Sequence, residues 1–475
     1  MGWAGAVWRN RTSLMILAAL LLGLSGCGDT IPDTGGTPGT PADTLRLAPF
    51  ENQTAGAAQM PATSEIFCPV LRYPTLNDLT VYPDTSLSEP PPRAPFYDAV
   101  FGSCLARLTD RTGDRAPFDN STGMHAPGSG IQAFNADSSS ILIQSTGGYW
   151  YVYNAETLLP TLRLPVAAAQ EVFWDPRNPQ LLYFLRGTSL LRYSLVNEQE
   201  QLLHNFAVDF PNLALESVSA QGGSGVSVDG RTLALAGLDG NGSALFLLVY
   251  DLAADQVLAH QHFPAPMSLS GLRISPSGVF VLAGFNAACP EIEASGELML
   301  CGLVSFNRDF SRAWQIAGAA GSFDTALDPQ RREVVVYHDQ AQQSISMYHL
   351  QTGDQRALLL VDTAPAAMNM EISGRALERP GWAIASVYGV PAPGQGSWLD
   401  STIMAFELKN DGLIARLAQN HSIYTDPSET GWVHPSASPN PDFTRVLFTS
   451  NWGSSTGEVE AYIIALPEDW SIPTQ

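Results

Sequence analysis

From about residue 129 to Leu466 the chain alternates apolar runs with short polar turns, and one phrase recurs along it. A short strand ends in a turn of Asp, Asn, Pro or Gly. An apolar strand follows, then a strand with alternating aromatics, then a more polar fourth. The clearest turns are Asn135-Ala136-Asp137, Asp175-Pro176-Arg177-Asn178, Val228-Asp229-Gly230, Ser275-Pro276-Ser277-Gly278, Asp328-Pro329-Gln330 and Ser438-Pro439-Asn440. After them come Ile141-Leu142-Ile143, Leu181-Leu182-Tyr183-Phe184, Leu233-Ala234-Leu235, Val279-Phe280-Val281-Leu282, Val334-Val335-Val336-Tyr337 and Val446-Leu447-Phe448. One further unit keeps the strands without the turn: Trp382-Ala383-Ile384-Ala385-Ser386, then Ile403-Met404-Ala405-Phe406. Seven four-stranded units roughly 48 residues apart predict an all-β fold, a seven-bladed β-propeller. A β-sandwich would not repeat one turn-plus-strand phrase seven times.

The seventh unit supplies only three strands before the chain stops, around Val433 to Ala437, Arg445 to Thr449 and Val459 to Leu466. A spare strand, Cys104-Leu105-Ala106-Arg107-Leu108-Thr109, lies ahead of the first unit. Supplied as the outer strand of the last blade, it would close the ring and protect that blade's edge.

The N-terminus reads differently. Arg9 and Arg11 form a positive region, and Leu14 to Leu24 is an apolar run too short to span a bilayer, which takes about 20 residues. Leu24-Ser25-Gly26-Cys27 follows, the pattern that bacterial lipoprotein signal peptidase reads, which makes Cys27 the lipidated residue. Residues 27–65 are rich in Thr, Pro, Gly and Ala and read as a flexible tether. The expected organisation is a signal peptide over 1–26, the tether over 27–65, and an N-terminal extension with the closing strand over 66–128. The blades then occupy 129–467 and a short tail 468–475. The expected place is the bacterial cell envelope: the outer membrane in a Gram-negative host, otherwise an extracytoplasmic lipid-anchored position.

The formal net charge is −22, and loss of Arg9 and Arg11 with the leader makes it more negative. Nucleic acid and other polyanions bound by charge alone are thereby disfavoured. A local arginine-lined site for an anionic sugar is not. Lys409 is the only lysine, so Ser-x-x-Lys chemistry and a phosphate-loop lysine are ruled out. Setting Cys27 aside leaves four cysteines, an even number that favours disulfides in an exported chain. Local pairing is expected, Cys68 with Cys104 and Cys289 with Cys301.

The units with Val-Asp-Gly and Ser-Pro-Ser-Gly turns resemble TolB-like propellers, whose blades open on a Ser-Pro-Asp-Gly turn. Leu105-Ala106-Arg107-Leu108-Thr109-Asp110, and His434-Pro435-Ser436-Ala437-Ser438-Pro439 with Val446-Leu447-Phe448-Thr449-Ser450, are more narrowly similar to the opening strand and last blade of oligogalacturonate lyase-type propellers. That resemblance implies β-elimination on short pectin fragments, with a metal held mainly by histidines at the propeller mouth. Here Trp432, Phe323 and Glu371 stand where such relatives tend to carry histidine. His434 is the one matched histidine.

Propeller ligands bind at the channel mouth, at the ends of inner strands. His434, Glu371, Asp324, Asn369 and Arg375 are the candidate ligand-binding residues there, with His434 the candidate metal ligand. One imidazole and two carboxylates suit a weakly held Mn²⁺, Mg²⁺ or Ca²⁺ better than Zn²⁺; a histidine satisfied by backbone and a polar channel lining are the alternative. His260 and His262 share a strand face but fall on a polar outer strand. His125 sits in a Gly/Pro-rich loop, Gly123 to Gly130, expected to cover one mouth or simply connect. The leading functional reading is a non-enzymatic, monomeric binding or scaffolding propeller for a protein or carbohydrate partner, meeting the membrane through its lipid anchor only. The alternative is a diverged oligogalacturonate lyase-like or other glycan-active enzyme.

Overall fold

A computed structural model of the chain describes residues 67–471, apart from 84, 86, 167–169, 290–299, 362–368, 390–395 and 425–430. The expected signal peptide, Cys27 and the tether lie outside the described residues. Seven antiparallel sheets form the blades of a β-propeller. From inner to outer strand, the first blade is Met124–His125, Ser140–Ser145, Trp150–Asn154 and Pro160–Arg163. The second to sixth follow in chain order with inner strands Val172–Trp174, Ser217–Ser219, Leu269–Ile274, Ala320–Leu327 and Asn369–Ser373. Among the described residues no helix is long and apolar enough to cross a membrane.

The burial pattern explains the repeated phrase. Second strands such as Phe280–Phe285 and Glu333–Asp339 are buried at every position, because each is covered on both faces by the neighbouring blades. Continuous apolar runs are what such strands require. Outer strands face water, and Gln256–Met267 is largely exposed, with His260 and His262 on its solvated surface. The turns between inner and second strands are shaped by short polar residues. In Ser275-Pro276-Ser277-Gly278 the Gly278 N–H donates to the Ser275 carbonyl at 2.8 Å, with Gly278 at φ +73°. A Cβ there would meet Thr232 Oγ1 at 2.8 Å, so glycine is required twice over.

The last blade closes the ring as expected, with one addition. Ser438–Pro439, Arg445–Ser450 and Glu460–Ala465 are joined by Cys104–Arg107, in register Cys104 to Ala465 and Arg107 to Tyr462. Pro95–Tyr97 then pairs outside Cys104–Arg107, so this blade has five strands rather than four. Side chains of the closing strand alternate across it: Leu105 packs with Trp382, Phe443 and Trp470, while Ala106 packs with Ile143, Tyr151 and Leu447. Both disulfides form as paired from the sequence, with Cα separations of 5.8 Å for Cys68–Cys104 and 5.1 Å for Cys289–Cys301.

The extension also covers an edge. Asn77 N donates to the Ile414 carbonyl at 2.7 Å and Ile414 N to Asn77 Oδ1 at 3.0 Å, along the outer strand Ile414–Gln419 of the sixth blade. Arg416 reaches the Thr80 carbonyl at 2.6 Å, and Asp98 accepts the Gln419 N–H at 3.1 Å. A strand edge that would otherwise invite pairing with another chain is occupied.

Ring closure also brings together a buried charge cluster. Glu460, fully buried, accepts from Arg107 Nη2 at 2.7 Å, Thr109 Oγ1 at 2.5 Å, and Arg111 N and Nη1 at 2.9 and 3.0 Å. Arg111 is shared with Glu89 at 2.6 Å and Glu458 at 3.1 Å. Burial raises the Glu460 pKa to about 7, against the pull of the arginines.

Candidate functional site

Where the inner strands begin, a cavity of about 450 Å³ opens at one end of the channel. Among the described residues every blade but the second contributes to its wall. The first and third blades do so through bulges. The inner strand Met124–His125 pairs opposite Gln144 and Ser145, turns into the channel over 127–130, and rejoins its blade where Phe134 faces Ile141. Ser217–Ser219 does the same over 221–225, rejoining where Val226 faces Leu233. The first blade thus begins ahead of residue 129, and His125 belongs to its innermost strand. Within the Gly123 to Gly130 loop, residues 127–130 reach into the mouth.

The two bulges touch across the channel. Ser224 N donates to the Gly130 carbonyl at 3.2 Å, and Gln132 N to Ser224 Oγ at 2.8 Å. A Cβ on Gly130 would collide with the Arg273 guanidinium and the Gly222 carbonyl. From the second blade, Glu171 supports the third-blade bulge by accepting Ala220 N at 2.6 Å and Ser219 Oγ at 2.9 Å, and burial raises its pKa.

Next to the bulges sits an ion cluster. Asp324, fully buried, accepts Gly374 N at 2.9 Å and Arg375 Nε at 2.8 Å, with Arg375 Nη2 on its other oxygen. Arg273 Nε lies 3.3 Å from Asp324 Oδ1, a charge contact without the alignment of a hydrogen bond. Arg273 Nη1 donates to the Leu272 carbonyl at 2.9 Å, and the guanidinium lies over the Phe323 ring at 5.3 Å. Burial lowers the Arg273 pKa; Asp324 and Glu371 oppose the shift and Arg375 adds to it. Arg375 borders a second cavity, of about 110 Å³, among the turns that follow the inner strands, with Trp174 and Glu378. Asp324 and Arg375 therefore do not line the mouth cavity as the sequence led us to expect. They satisfy each other between its floor and the opposite end of the channel.

His434, Glu371 and Asn369 do line the mouth. His434 Nδ1 lies 3.3 Å from Glu371 Oε1. The imidazole stacks on Tyr388, with centroids 4.1 Å apart and planes at 27°. Tyr424 stands behind, 5.6 Å from Tyr388 and 6.3 Å from His434, its hydroxyl donating to the Val433 carbonyl at 3.0 Å. Burial, then Glu371, raise the Tyr388 pKa, which keeps the phenol protonated. Ser129, Ser270, Ser322, Ser436 and Gln221 add to the polar wall, and among the described residues Arg273 is the one Lys or Arg on it. Trp432 is turned away from a ligand role beside His434: its ring packs on His125, centroids 4.6 Å apart. His125 Nδ1 pairs with the Ala126 carbonyl at 2.7 Å, and burial outweighs that bond to lower its pKa to about 4.

Arg273, Tyr388 and the bulges were not singled out from the sequence. An arginine inside an inner strand, just ahead of the Ser275-Pro276 turn, was the available signal. Tyr388 closes a second strand that is apolar apart from Ser386, and nothing local distinguishes it.

The mouth offers two metal-donor side chains among the described residues, His434 and Glu371. Among the described residues no three His, Cys, Asp or Glu side chains gather in a metal-binding group. The two mouth donors engage each other, and Asp324, the expected third, is held by Arg375.

No family model matches the chain, and no curated protein does. Solved structures do. An oligogalacturonate lyase in complex with manganese superposes with a TM-score of 0.56 at 16% identity, covering 84% of this chain and 100% of the lyase. The oligogalacturonate lyase of Vibrio parahaemolyticus superposes with a TM-score of 0.55 at 14% identity, covering 84% and 100%. At such identities the likeness is one of architecture, and it agrees with the blade count: this chain is a seven-bladed β-propeller of the same fold as the oligogalacturonate lyases.

Proposed function

We propose that the protein is an envelope-anchored binding propeller that takes a short acidic carbohydrate at the channel mouth and does not cleave it. The observation that carries this reading is the pairing, in one cavity, of the stacked Tyr388–His434 wall with the Arg273 guanidinium. An aromatic face receives the C–H side of a sugar ring, and a buried guanidinium recognises a carboxylate. Asn369, Glu371 and Ser322 add donors and acceptors for hydroxyls. A volume of about 450 Å³ falls within the range of small-ligand sites, roughly 300–1,000 Å³. The envelope position is supported by the Leu24-Ser25-Gly26-Cys27 pattern and by two disulfides, which persist in exported proteins.

The lyase reading draws on the structural neighbours, one of which is a manganese complex. It would need a metal, and among the described residues the mouth offers two donor side chains, His434 and Glu371, so no catalytic step is assigned. Calorimetric titration with galacturonate and glucuronate, with manganese and with EDTA, tests the proposal. Expected are binding independent of manganese, its loss in His434→Ala with an unchanged melting temperature, and no ultraviolet absorbance of an unsaturated product from oligogalacturonides. Product formation, or a stability loss in His434→Ala with binding intact, would overturn it.

A further inference from the structure

A second groove, of about 340 Å³, lies beside the mouth, between the N-terminal extension and the loops leaving the sixth and seventh blades. Its wall is Thr85, Leu87, His421, Ser422, Ile423, Trp452 and Gly453. Leu87 and Ile423 present apolar surface, 41% and 39% exposed. Trp452 forms the floor, packed on Tyr462 with centroids 4.7 Å apart and on His421 at 4.2 Å. Among the described residues the wall holds no Asp, Glu, Lys or Arg.

The groove is built rather than left over. His421 and Trp452 both adopt left-handed backbone conformations, φ +52° and +47°, which bulky residues avoid. They are held there by bonds between their loops. Gly453 N donates to the His421 carbonyl at 2.9 Å, and the Asn451 amide accepts Ile423 N at 2.9 Å and donates to the Ile423 carbonyl at 2.8 Å. Trp452 Nε1 donates to the Ser88 carbonyl at 3.2 Å, fixing the extension as the far wall. Ser422 brings a buried hydroxyl with no hydrogen-bond partner among the described residues. Strain maintained by surrounding bonds beside a cavity is characteristic of ligand clamps.

The groove lies next to the mouth. Its wall residue Ile423 is followed by Tyr424, which stands against Tyr388 and His434. An aromatic step thus separates the mouth, with Arg273 and Glu371, from a groove without Asp, Glu, Lys or Arg among the described residues. We propose that this groove is a second sugar subsite for neutral residues. The ligand class is then a glycan with one acidic sugar in the mouth and neutral sugars continuing over Tyr424 into the groove. This rests on the mouth reading given above and deepens it.

The test compares glucuronate with glucuronate-substituted xylo-oligosaccharides of increasing length, by calorimetry on the full folded domain. Covering about 50 Å² of Leu87 and Ile423 corresponds to about a tenfold gain in affinity for the longer sugars. The double variant Leu87→Ala, Ile423→Ala should lose that gain and keep its affinity for glucuronate. Both side chains are half-exposed, so the fold is not at risk, and an unchanged melting curve checks it. Equal affinity for all lengths in the unsubstituted protein overturns the groove and leaves the mouth standing. A length-dependent gain that survives the double variant also overturns it. No binding by any sugar overturns both.

Discussion

Replacing Asp324 by Asn removes one negative charge from a pocket where two guanidiniums are buried beside it. Asp324 is fully buried, Arg375 is 7% exposed and Arg273 8% exposed, so water cannot take over the lost partner. The amide keeps the shape. One Asn oxygen can still accept Gly374 N or Arg375 Nε, but its NH₂ group would face an N–H of a guanidinium. At least two charge-assisted hydrogen bonds weaken or invert, at about 1.5–3 kcal/mol each. Removing one partner of a buried ion pair costs about 3–5 kcal/mol by a separate route, and the two figures agree. The expected loss is therefore about 3–5 kcal/mol, read by urea unfolding as a lower midpoint with an unchanged slope. A loss below about 1 kcal/mol would refute the argument that this carboxylate holds the inner strands of the fourth, fifth and sixth blades together.

Two buried groups should give opposite pH dependences. Glu460, raised to about 7 in the fold from 4.5, stabilises below about pH 4.5, and that stability is lost as pH rises to 7, about 3 kcal/mol in all. His125, lowered to about 4 from 6.5, contributes stability that is lost as pH falls through that interval, also about 3 kcal/mol. Urea unfolding across these pH values should show a steeper rise with pH in Glu460→Gln and a steeper fall in His125→Gln; slopes unchanged from the parent would contradict both assignments. The disulfides close segments with sequence separations of 36 and 12 residues, so Cys68→Ser with Cys104→Ser should cost about 4 kcal/mol and Cys289→Ser with Cys301→Ser about 3 kcal/mol in thermal unfolding. Equal or reversed losses would show that chain entropy is not the main term.

What could be read from the sequence was local. Six of the seven units repeat the turn chemistry ahead of an apolar second strand, so the phrase around Ser275-Pro276-Ser277-Gly278 carries its meaning wherever it occurs. The closing strand was legible by counting, because a three-stranded last unit and a spare strand imply each other. Pro95–Tyr97 was not, since three residues beside a proline run carry no periodicity. Met124–His125 was hidden for the same reason, being two residues long and followed by a glycine-bearing bulge. The site was less legible still. Inner strands converge regardless of their order in the chain, and whether an inward residue meets ligand or ion partner depends on its height in the channel. Glu371 and Asp324 both looked like mouth residues. Gly321, Ser322 and Phe323, just ahead of Asp324, line the cavity. Asp324 lies deeper, where Arg375 and the Gly374 amide occupy it.

Pairing Cys104–Arg107 with Glu460–Ala465 has a temporal consequence. A ribosome makes the closing strand first and its partner almost last, so the blades between them emerge as an open arc. Throughout that interval the apolar face of the first blade and the edge awaiting Leu105 and Ala106 remain uncovered, which is when a chain of this length is prone to aggregation. Loop closure over most of the chain is slow, and it sets the final step. A permuted chain that begins at the first blade and carries residues 67–108 after the last would convert that step into a local encounter. The same ring would then assemble in the order in which it is translated.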